Sequence, residues 1–276
     1  MWSRMLTGLL VIAAAAVVFL AALLWFMQDR MIFYPTRELD ATPEEAGLSG
    51  YRDVMISTSS GERIHAWYIE PNNGPKDESM RAVLFCHGNG GNISHRLETA
   101  RFLTGLGAST LMFDYRGYGR SDGRPSEANC YEDAEAAYNW LVTEQRLAPG
   151  HIVVFGRSLG GAVAVDLAGR VRCGGLIVES TLTSAADMGR RMFFGLPVGL
   201  LVRHKFDAVA RIGDVSCPVL VTHSPEDDIV PYEMGRRLFE EAREPKQFVQ
   251  LRGIHNDRLY FEDQEYINAV RNMLRP

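Results

Sequence analysis

The chain lacks the compositional marks of several functional classes. Its 29 Lys and Arg are outnumbered by 34 Asp and Glu over 276 residues, which gives a formal net charge of −5. No basic surface that would neutralise phosphates is expected, so nucleic-acid binding is not predicted. Cysteine is scarce, and Cys86, Cys130, Cys173 and Cys217 stand singly, without a CxxC pair or a close Cys/His cluster. They are predicted to be reduced core residues and not zinc ligands.

Motifs for metals and nucleotides are also missing. The chain has no H-E-x-x-H pair, and ligand spacing does not support a metal site built from His87, His223, His255 and Asp227. The segment CHGNGGN, which begins at Cys86, lacks the G-K-[ST] ending of a phosphate loop. The later segment RGYGRSDG is one residue too long for G-x-G-x-x-G. We therefore expect neither a metal nor an organic cofactor.

A long apolar run stands at the N-terminus. Residues 5–27 contain no charged side chain, and as a helix they would cover roughly 34 Å, enough to cross the hydrocarbon core of a bilayer. The run predicts a single-pass transmembrane anchor over residues 1–30. A linker over residues 31–51 and one folded domain over residues 52–276 complete the expected organisation.

A cleaved signal peptide is the alternative interpretation of this run. The run is too long for one, and residues 23–27 are bulky where small residues should precede a cleavage site. Arg4 and the amino terminus lie on one side of the run, whereas Arg30 and Arg37 lie on the other. This distribution slightly favours a cytoplasmic position for the folded domain.

The folded domain shows the alternation of strands and helices that is typical of an α/β fold. Strands are predicted over residues 52–58, 62–70, 82–86, 110–114, 152–155, 176–178, 219–222 and 247–251. Helices are predicted over residues 94–106, 127–146, 159–170, 232–242 and 261–274. The first two strands resemble an antiparallel hairpin, and the repeated strand–helix–strand pattern implies parallel pairing for the others. We expect an eight-stranded, mostly parallel sheet with helices on both faces.

Ser158 lies at an abrupt junction in this pattern. The segment VVFGRSLGGAVAV passes directly from an apolar strand into a helix of small residues, and Ser158 is the centre of the G-x-S-x-G pattern that runs from Gly156 to Gly160. A nucleophilic serine needs such a sharp turn to expose its hydroxyl, and the glycines remove Cβ atoms that would collide there. Ser158 is therefore the predicted nucleophile; the alternative is a helix N-cap serine.

A serine hydroxyl needs a base, and His255 is the histidine in the best position to supply one. Seven histidines compete, but His255 directly follows the last predicted strand. The segment THSPEDDIVPYE offers Glu226, Asp227 and Asp228 as carboxylates that could orient the imidazole. A solvated turn is the alternative interpretation of these three acids.

Five segments in order, HGNGGN, DYRGYGRSDG, GRSLGG, SPEDDIVP and GIHND, resemble the α/β-hydrolase superfamily. Within it they are similar to a membrane-anchored branch of serine hydrolases that includes protein depalmitoylases and related esterases. The resemblance covers residue 52 to the C-terminus and implies an α/β-hydrolase fold. It also implies that Asp227, four residues before Pro231, is the orienting acid, with Asp228 as the fallback. The backbone N–H groups of Asn89 and Leu159 are the implied oxyanion donors.

The segment over residues 181–214 is unusually apolar for a connection between strands, particularly from Met188 to Val202. Two interpretations stay open: a small lid that lines an acyl pocket, or a helix packed on the core.

Together these features predict a membrane-anchored serine hydrolase. Its expected substrate is a small-molecule or lipid acyl ester or thioester, which it would cleave through an acyl-serine intermediate. The alternatives are a serine peptidase or amidase on the same fold, and a catalytically silent, membrane-tethered interaction scaffold.

Overall fold

The computed structural model describes residues 2–71, 80–193, 198–257 and 259–275. The strands are β1 (Tyr34–Pro35), β2 (Tyr51–Ser57), β3 (Arg63–Ile69), β4 (Ala82–Cys86), β5 (Gly90–Gly91), β6 (Thr110–Phe113), β7 (Ile152–Arg157), β8 (Gly175–Glu179), β9 (Val219–His223) and β10 (Lys246–Gln250). The α-helices are α1 (Trp2–Ile32), α2 (Leu97–Gly105), α3 (Glu127–Thr143), α4 (Leu159–Arg170), α5 (Ala185–Met192), α6 (Val198–Leu201), α7 (Ala208–Arg211), α8 (Tyr232–Glu241) and α9 (Gln264–Leu274).

Eight of the strands form one sheet in the order β10-β9-β8-β7-β4-β6-β3-β2. All neighbours are parallel except β3, which is antiparallel to both β2 and β6. Cys86 is opposite Gly156, and Arg157 is opposite Glu179, so β4, β7 and β8 end together at one edge. In a sheet of this kind ligands bind at that edge.

The central strands are buried on both faces, because helices cover each side of the sheet. Val153 and Phe155 of β7 belong to one apolar cluster, whereas Ile152 and Val154 belong to the other, as the alternation of side chains along a strand requires. Residues of α3, α4 and α8 pack on the side of Val154. Residues of α2 and α9 pack on the side of Phe155.

Polar side chains mark where several helices begin. Ser126 accepts the backbone N–H of Asn129 at 3.1 Å before α3, and Asp263 accepts that of Glu265 at 2.9 Å before α9. Such caps satisfy N–H groups that have no partner within the helix, and so stabilise the helix start.

The first helix differs from the others because most of its surface is exposed. Among the described residues it is the one helix long and apolar enough to cross a membrane, over residues 4–32, and a signal sequence would pass the same test. The chain after it returns to the folded body, where Tyr34–Pro35 pairs in parallel with Gly90–Gly91. The predicted linker, residues 31–51, thus contacts the loop that follows β4.

The apolar segment over residues 181–214 contains three short helices, α5, α6 and α7. Residues 194–197 of this segment lie outside the described residues. The helix α5 has no fully buried side chain, but its Ala185 and Met188 are partly buried against the apolar core.

Candidate active site

Ser158 occupies a strained position between β7 and α4. Its backbone angles are φ 56° and ψ −124°, in a region that residues with a Cβ rarely adopt. The Ser158 N–H donates to the carbonyl oxygen of Glu179 at 2.9 Å, which ties the turn to the neighbouring strand. Strain of this kind is retained where the surroundings impose it, and it is concentrated at functional sites.

The two glycines of the pattern are required by close backbone contacts. A Cβ on Gly160 would lie 2.1 Å from the carbonyl oxygen of Cys86, and one on Gly156 would lie 2.2 Å from the carbonyl oxygen of Gly160. The first turn of α4 therefore packs directly against the ends of β4 and β7. This close packing leaves the Ser158 side chain partly exposed at the sheet edge, on the wall of a cavity.

His255 lies between Ser158 and Asp227. Its Nε2 is 3.1 Å from Ser158 Oγ, and its Nδ1 is 2.7 Å from Asp227 Oδ2. The carboxylate fixes the tautomer of His255. Nδ1–H donates to Asp227, so Nε2 can accept the Ser158 hydroxyl proton. The three residues predicted from separate segments are thus in direct contact.

Asp227 is held as a carboxylate. Its side chain is fully buried, and Oδ1 accepts the backbone N–H groups of Ile229 and Val230 at 2.9 and 2.7 Å. Burial alone raises its pKa, but hydrogen bonds from His223 and His255 and from the Val230 N–H outweigh burial and hold the pKa below its usual value. The charged form is therefore the one present beside the imidazole.

The other two acids of this loop contact the backbone of the His255 loop. Asp228 Oδ1 accepts the His255 N–H at 3.0 Å, and Glu226 Oε2 accepts the Gly253 N–H at 2.8 Å. His223, a competing base in the sequence, lies behind Asp227, where its Nε2 is 2.9 Å from the Val230 carbonyl oxygen. The acid loop thus fixes both the ring of His255 and its backbone.

A buried ionic network below His255 was not foreseen from the sequence. Arg157 donates through Nη2 to the His255 carbonyl oxygen, and its Nε is 3.2 Å from Glu179 Oε1. Glu179 also accepts the hydroxyl groups of Tyr260 and Tyr266 at 2.9 and 2.6 Å. The one sign of this network in the sequence was Arg157, a charged residue at the end of an otherwise apolar strand. Its partners, far away along the chain, belong to no motif.

The glycine-rich loop after β4 lies against Ser158. A Cβ on Gly88 would be 3.4 Å from Ser158 Cβ, so the space between this loop and the serine is about as wide as one methyl group. His87 Nδ1 lies 2.7 Å from the Gly88 carbonyl oxygen, and burial lowers the His87 pKa to about 3, which keeps the ring neutral. Because a trans peptide directs its N–H opposite to its C=O, this contact orients the Asn89 N–H away from His87.

Asn89 itself is fixed by three further contacts. Its carbonyl oxygen accepts the Tyr34 N–H at 3.0 Å and the Tyr118 hydroxyl at 2.7 Å, and its side chain donates to the Ile32 carbonyl oxygen at 3.0 Å. Leu159 is the first residue of α4, so its N–H is among those that have no acceptor within the helix. Both residues predicted as oxyanion donors thus lie at the sheet edge that carries Ser158.

A cavity of about 690 Å³ opens over these residues. Ser158, His255, Asn89 and Leu159 lie at one part of its wall. The remaining wall is mainly apolar and includes residues of α1, Met188 and Phe193 of the segment after β8, and Ile229. His95, Arg96 and Arg157 are polar members of the same wall. The volume falls within the range of pockets that enclose small organic ligands.

A metal centre has no basis in the described part of the chain, where no group of three or more His, Cys, Asp or Glu side chains could hold an ion.

Comparison with known proteins agrees with this architecture. A family model described as alpha/beta hydrolase fold matches residues 81–198. An uncharacterized protein of Mycobacterium tuberculosis is 40% identical over 253 residues, which cover 91% of this chain and 88% of that protein. The alpha/beta hydrolase domain-containing protein WAV2 of Arabidopsis thaliana is 34% identical, with 86% of this chain and 83% of that protein covered. The Pyrococcus furiosus esterase Pf2001 superposes with a TM-score of 0.70 at 21% identity, over 87% of this chain and 98% of that one.

Proposed function

The chain belongs to the α/β-hydrolase family, and from this premise we propose that it is a membrane-anchored serine hydrolase that cleaves carboxylic esters or thioesters. One observation carries the proposal: His255 lies within 3.1 Å of Ser158 Oγ and within 2.7 Å of Asp227 Oδ2. Hydrogen-bonded serine, imidazole and carboxylate groups in this order are the arrangement that activates a serine for acyl transfer. The Pyrococcus neighbour is an esterase by name, which supports the same class of reaction.

The reaction begins with Ser158. Its Oγ attacks the carbonyl carbon of the substrate while His255 Nε2 takes the hydroxyl proton. The tetrahedral intermediate collapses, the bond to the leaving oxygen or sulfur breaks, and the imidazolium returns the proton to the leaving group. Water, deprotonated by His255, then attacks the acyl-serine and releases the carboxylic acid, which regenerates Ser158. Asp227 stabilises the imidazolium in both halves of the reaction.

The negative charge on the carbonyl oxygen of each intermediate needs two fixed donors. We assign these donors to the backbone N–H groups of Asn89 and Leu159. The contacts of Asn89 with Ile32, Tyr34 and Tyr118 support this assignment, because donors that are already oriented need no reorganisation during the reaction. Removing one such donor typically costs about 3 kcal/mol of transition-state stabilisation.

The apolar wall of the cavity supports a hydrocarbon acyl group as the part of the substrate that binds there. Met188, Met192 and Phe193 contribute to this wall, and Met side chains adapt to flexible ligands. Residues 181–214 accordingly act as a small lid over the acyl group.

The apolar N-terminal helix is the proposed anchor. Residues 1–30 hold the domain at a bilayer, residues 31–51 connect the two, and residues 52–276 carry the catalysis. The mean hydropathy of 2.9 in its most apolar window and its exposed surface support this assignment. An anchored enzyme meets acyl substrates that are themselves dissolved in the membrane.

The variant Ser158→Ala tests the proposed chemistry. It should fold normally, because the exchange removes one partly exposed hydroxyl and adds no atoms. It should lower kcat for p-nitrophenyl butyrate by a factor of roughly 10⁶ and abolish covalent labelling by a fluorophosphonate. The Ser180→Ala variant is the matched control, since Ser180 also has a positive φ, at 47°, and lies outside the cavity wall. Labelling of Ser158→Ala at the wild-type level would exclude Ser158 as the nucleophile.

A further inference from the structure

The last turns of α1 pack against the folded body through one face. Leu24, Gln28, Met31 and Ile32 line the cavity that contains Ser158, and their spacing of four, seven and eight residues from Leu24 puts them on one side of the helix. Leu23, the immediate neighbour of Leu24, is 46% exposed and does not line the cavity. The end of the apolar helix therefore forms part of the wall around the reacting serine.

Polar contacts hold this wall in place. Gln28 Nε2 donates to the Leu201 carbonyl oxygen at 2.7 Å, and Gln28 Oε1 accepts the Arg203 N–H at 2.7 Å. Both polar ends of Gln28 are thus bound to the backbone that follows α6. Asp29 Oδ1, on the next residue, lies 2.6 Å from His204 Nε2. These bonds fix the rotation of α1 on the body and leave Leu24, Met31 and Ile32 to provide the apolar surface.

The same stretch of chain continues into the loop beside Ser158. Phe33 is 4% exposed and packs edge-on against His204, with 5.4 Å between the ring centroids. The Ile32 carbonyl oxygen accepts the Asn89 side chain, and the Tyr34 N–H donates to the Asn89 carbonyl oxygen. The wall made by α1 is therefore rigidly connected to the loop that carries one oxyanion donor.

We propose that the end of α1 that packs on the folded body, residues 24–32, is one wall of the acyl-binding site. An acyl chain attached at Ser158 lies along Leu24, Met31 and Ile32, and α1 leads it from the bilayer to the serine. This inference rests on the proposed function, because it takes Ser158 as the nucleophile and α1 as the anchor. It adds that α1 selects among substrates by the length of the substrate's acyl chain.

The variant Leu24→Trp tests this role by filling the cavity beside α1. With full-length protein in phosphatidylcholine vesicles, kcat/KM is measured for p-nitrophenyl esters of butyrate and laurate. We expect the laurate-to-butyrate ratio to fall about tenfold or more, since the larger ring occupies space that only the longer chain needs. Leu23→Trp, one residue away on the exposed face, should keep the wild-type ratio. An unchanged ratio in Leu24→Trp, or an equal fall in Leu23→Trp, would overturn the proposal.

A crosslinking experiment tests the same inference with the wild-type chain, so its result does not depend on whether a variant folds. Ser158 is labelled with a long-chain alkyl fluorophosphonate that carries a diazirine at the end of its chain, and the photoproducts are mapped by peptide mass spectrometry. We expect crosslinks to residues 24–32. Crosslinks confined to other elements, with Ser158 labelled normally, would overturn this inference and leave the proposed function intact. Failure to label Ser158 at all would instead reject the proposed function and this inference with it.

Discussion

The two oxygens of Asp227 have separate tasks. Oδ1 accepts the N–H groups of Ile229 and Val230, which fix the carboxylate, while Oδ2 is 2.7 Å from the imidazole Nδ1 of His255. Asp228, the next residue, instead accepts the backbone N–H of His255 through Oδ1. Two adjacent acids therefore hold one histidine in different ways, one through its ring and the other through its main chain.

Exchanging each acid for its amide separates these tasks. In Asp227→Asn the N–H groups of Ile229 and Val230 keep the amide oxygen at the Oδ1 position, so the NH2 group faces His255 and donates to Nδ1. The imidazole is then held in the wrong tautomer, and kcat should fall by roughly 10⁴. Asp228→Asn keeps a carbonyl oxygen for the His255 N–H, and its kcat should stay within about threefold of wild type, as expected when one neutral hydrogen bond replaces a charged one. Both kcat values are measured with p-nitrophenyl butyrate after fluorophosphonate titration of active sites. The reverse order of losses would make Asp228 the orienting acid.

The proximity of Ser158 and His255 could be predicted from the sequence. Each residue follows a strand of one parallel sheet, and such strands end at one edge. The resemblance to the α/β-hydrolase superfamily selected Asp227 from the three acids of its loop. The assigned roles stay predictions, although the contacts are the ones those roles require. Glu179 and its bond to Arg157 could not be inferred, because the pairing depends on the register of β7 with β8.

At the scale of elements, the sheet was largely predictable. The predicted α/β-hydrolase fold is confirmed, and strands such as β4 and helices such as α4 begin and end where the sequence pattern placed them. These elements are buried on both faces or contain many small residues, so their patterns are clear. The pairing of β1 with β5 has only two residues per strand, which is too short for any periodic signal.

The Ser158 turn requires close contact between α4 and the ends of β4 and β7. In Gly160→Ala the new Cβ would meet the backbone of Cys86 and His87, which cannot move without displacing β4. We expect the free energy of unfolding to fall by about 3 kcal/mol, with a corresponding fall in Tm. Gly105→Ala, at the end of α2, meets no atom within 4 Å and should be neutral or stabilise by up to about 1 kcal/mol.

Thermal unfolding followed by circular dichroism measures both variants in the same detergent. If Gly160→Ala unfolds at the wild-type temperature, the glycine is not needed for close packing of α4. The G-x-S-x-G pattern would then have to be explained by access of substrate to Ser158 alone.

At the scale of the whole molecule, the proposed anchor ends beside the proposed reaction site, because residues of α1 line the cavity that contains Ser158. The helix α1 runs from an exposed apolar surface to the cavity over Ser158, and the chain then pairs with the loop that holds Asn89. A substrate dissolved in the bilayer would reach the serine without crossing bulk water. The acidic net charge of −5 adds no attraction to anionic lipids, so the proposed attachment to a bilayer rests on α1.

Charges placed in α1 test whether the helix spans a bilayer. Leu10 and Val17 lie on the exposed part of α1, and Arg at the centre of a spanning helix costs about 2.5–3.5 kcal/mol. The double variant Leu10→Arg/Val17→Arg should leave the membrane pellet during an alkaline carbonate wash, whereas Leu10→Ala/Val17→Ala should stay in it. Fluorophosphonate labelling of Ser158 should persist in both, because neither residue contacts the catalytic domain. Intact mass spectrometry of the wild-type protein distinguishes the anchor from a signal peptide: a mature chain that lacks residues 1–27 would refute the anchor.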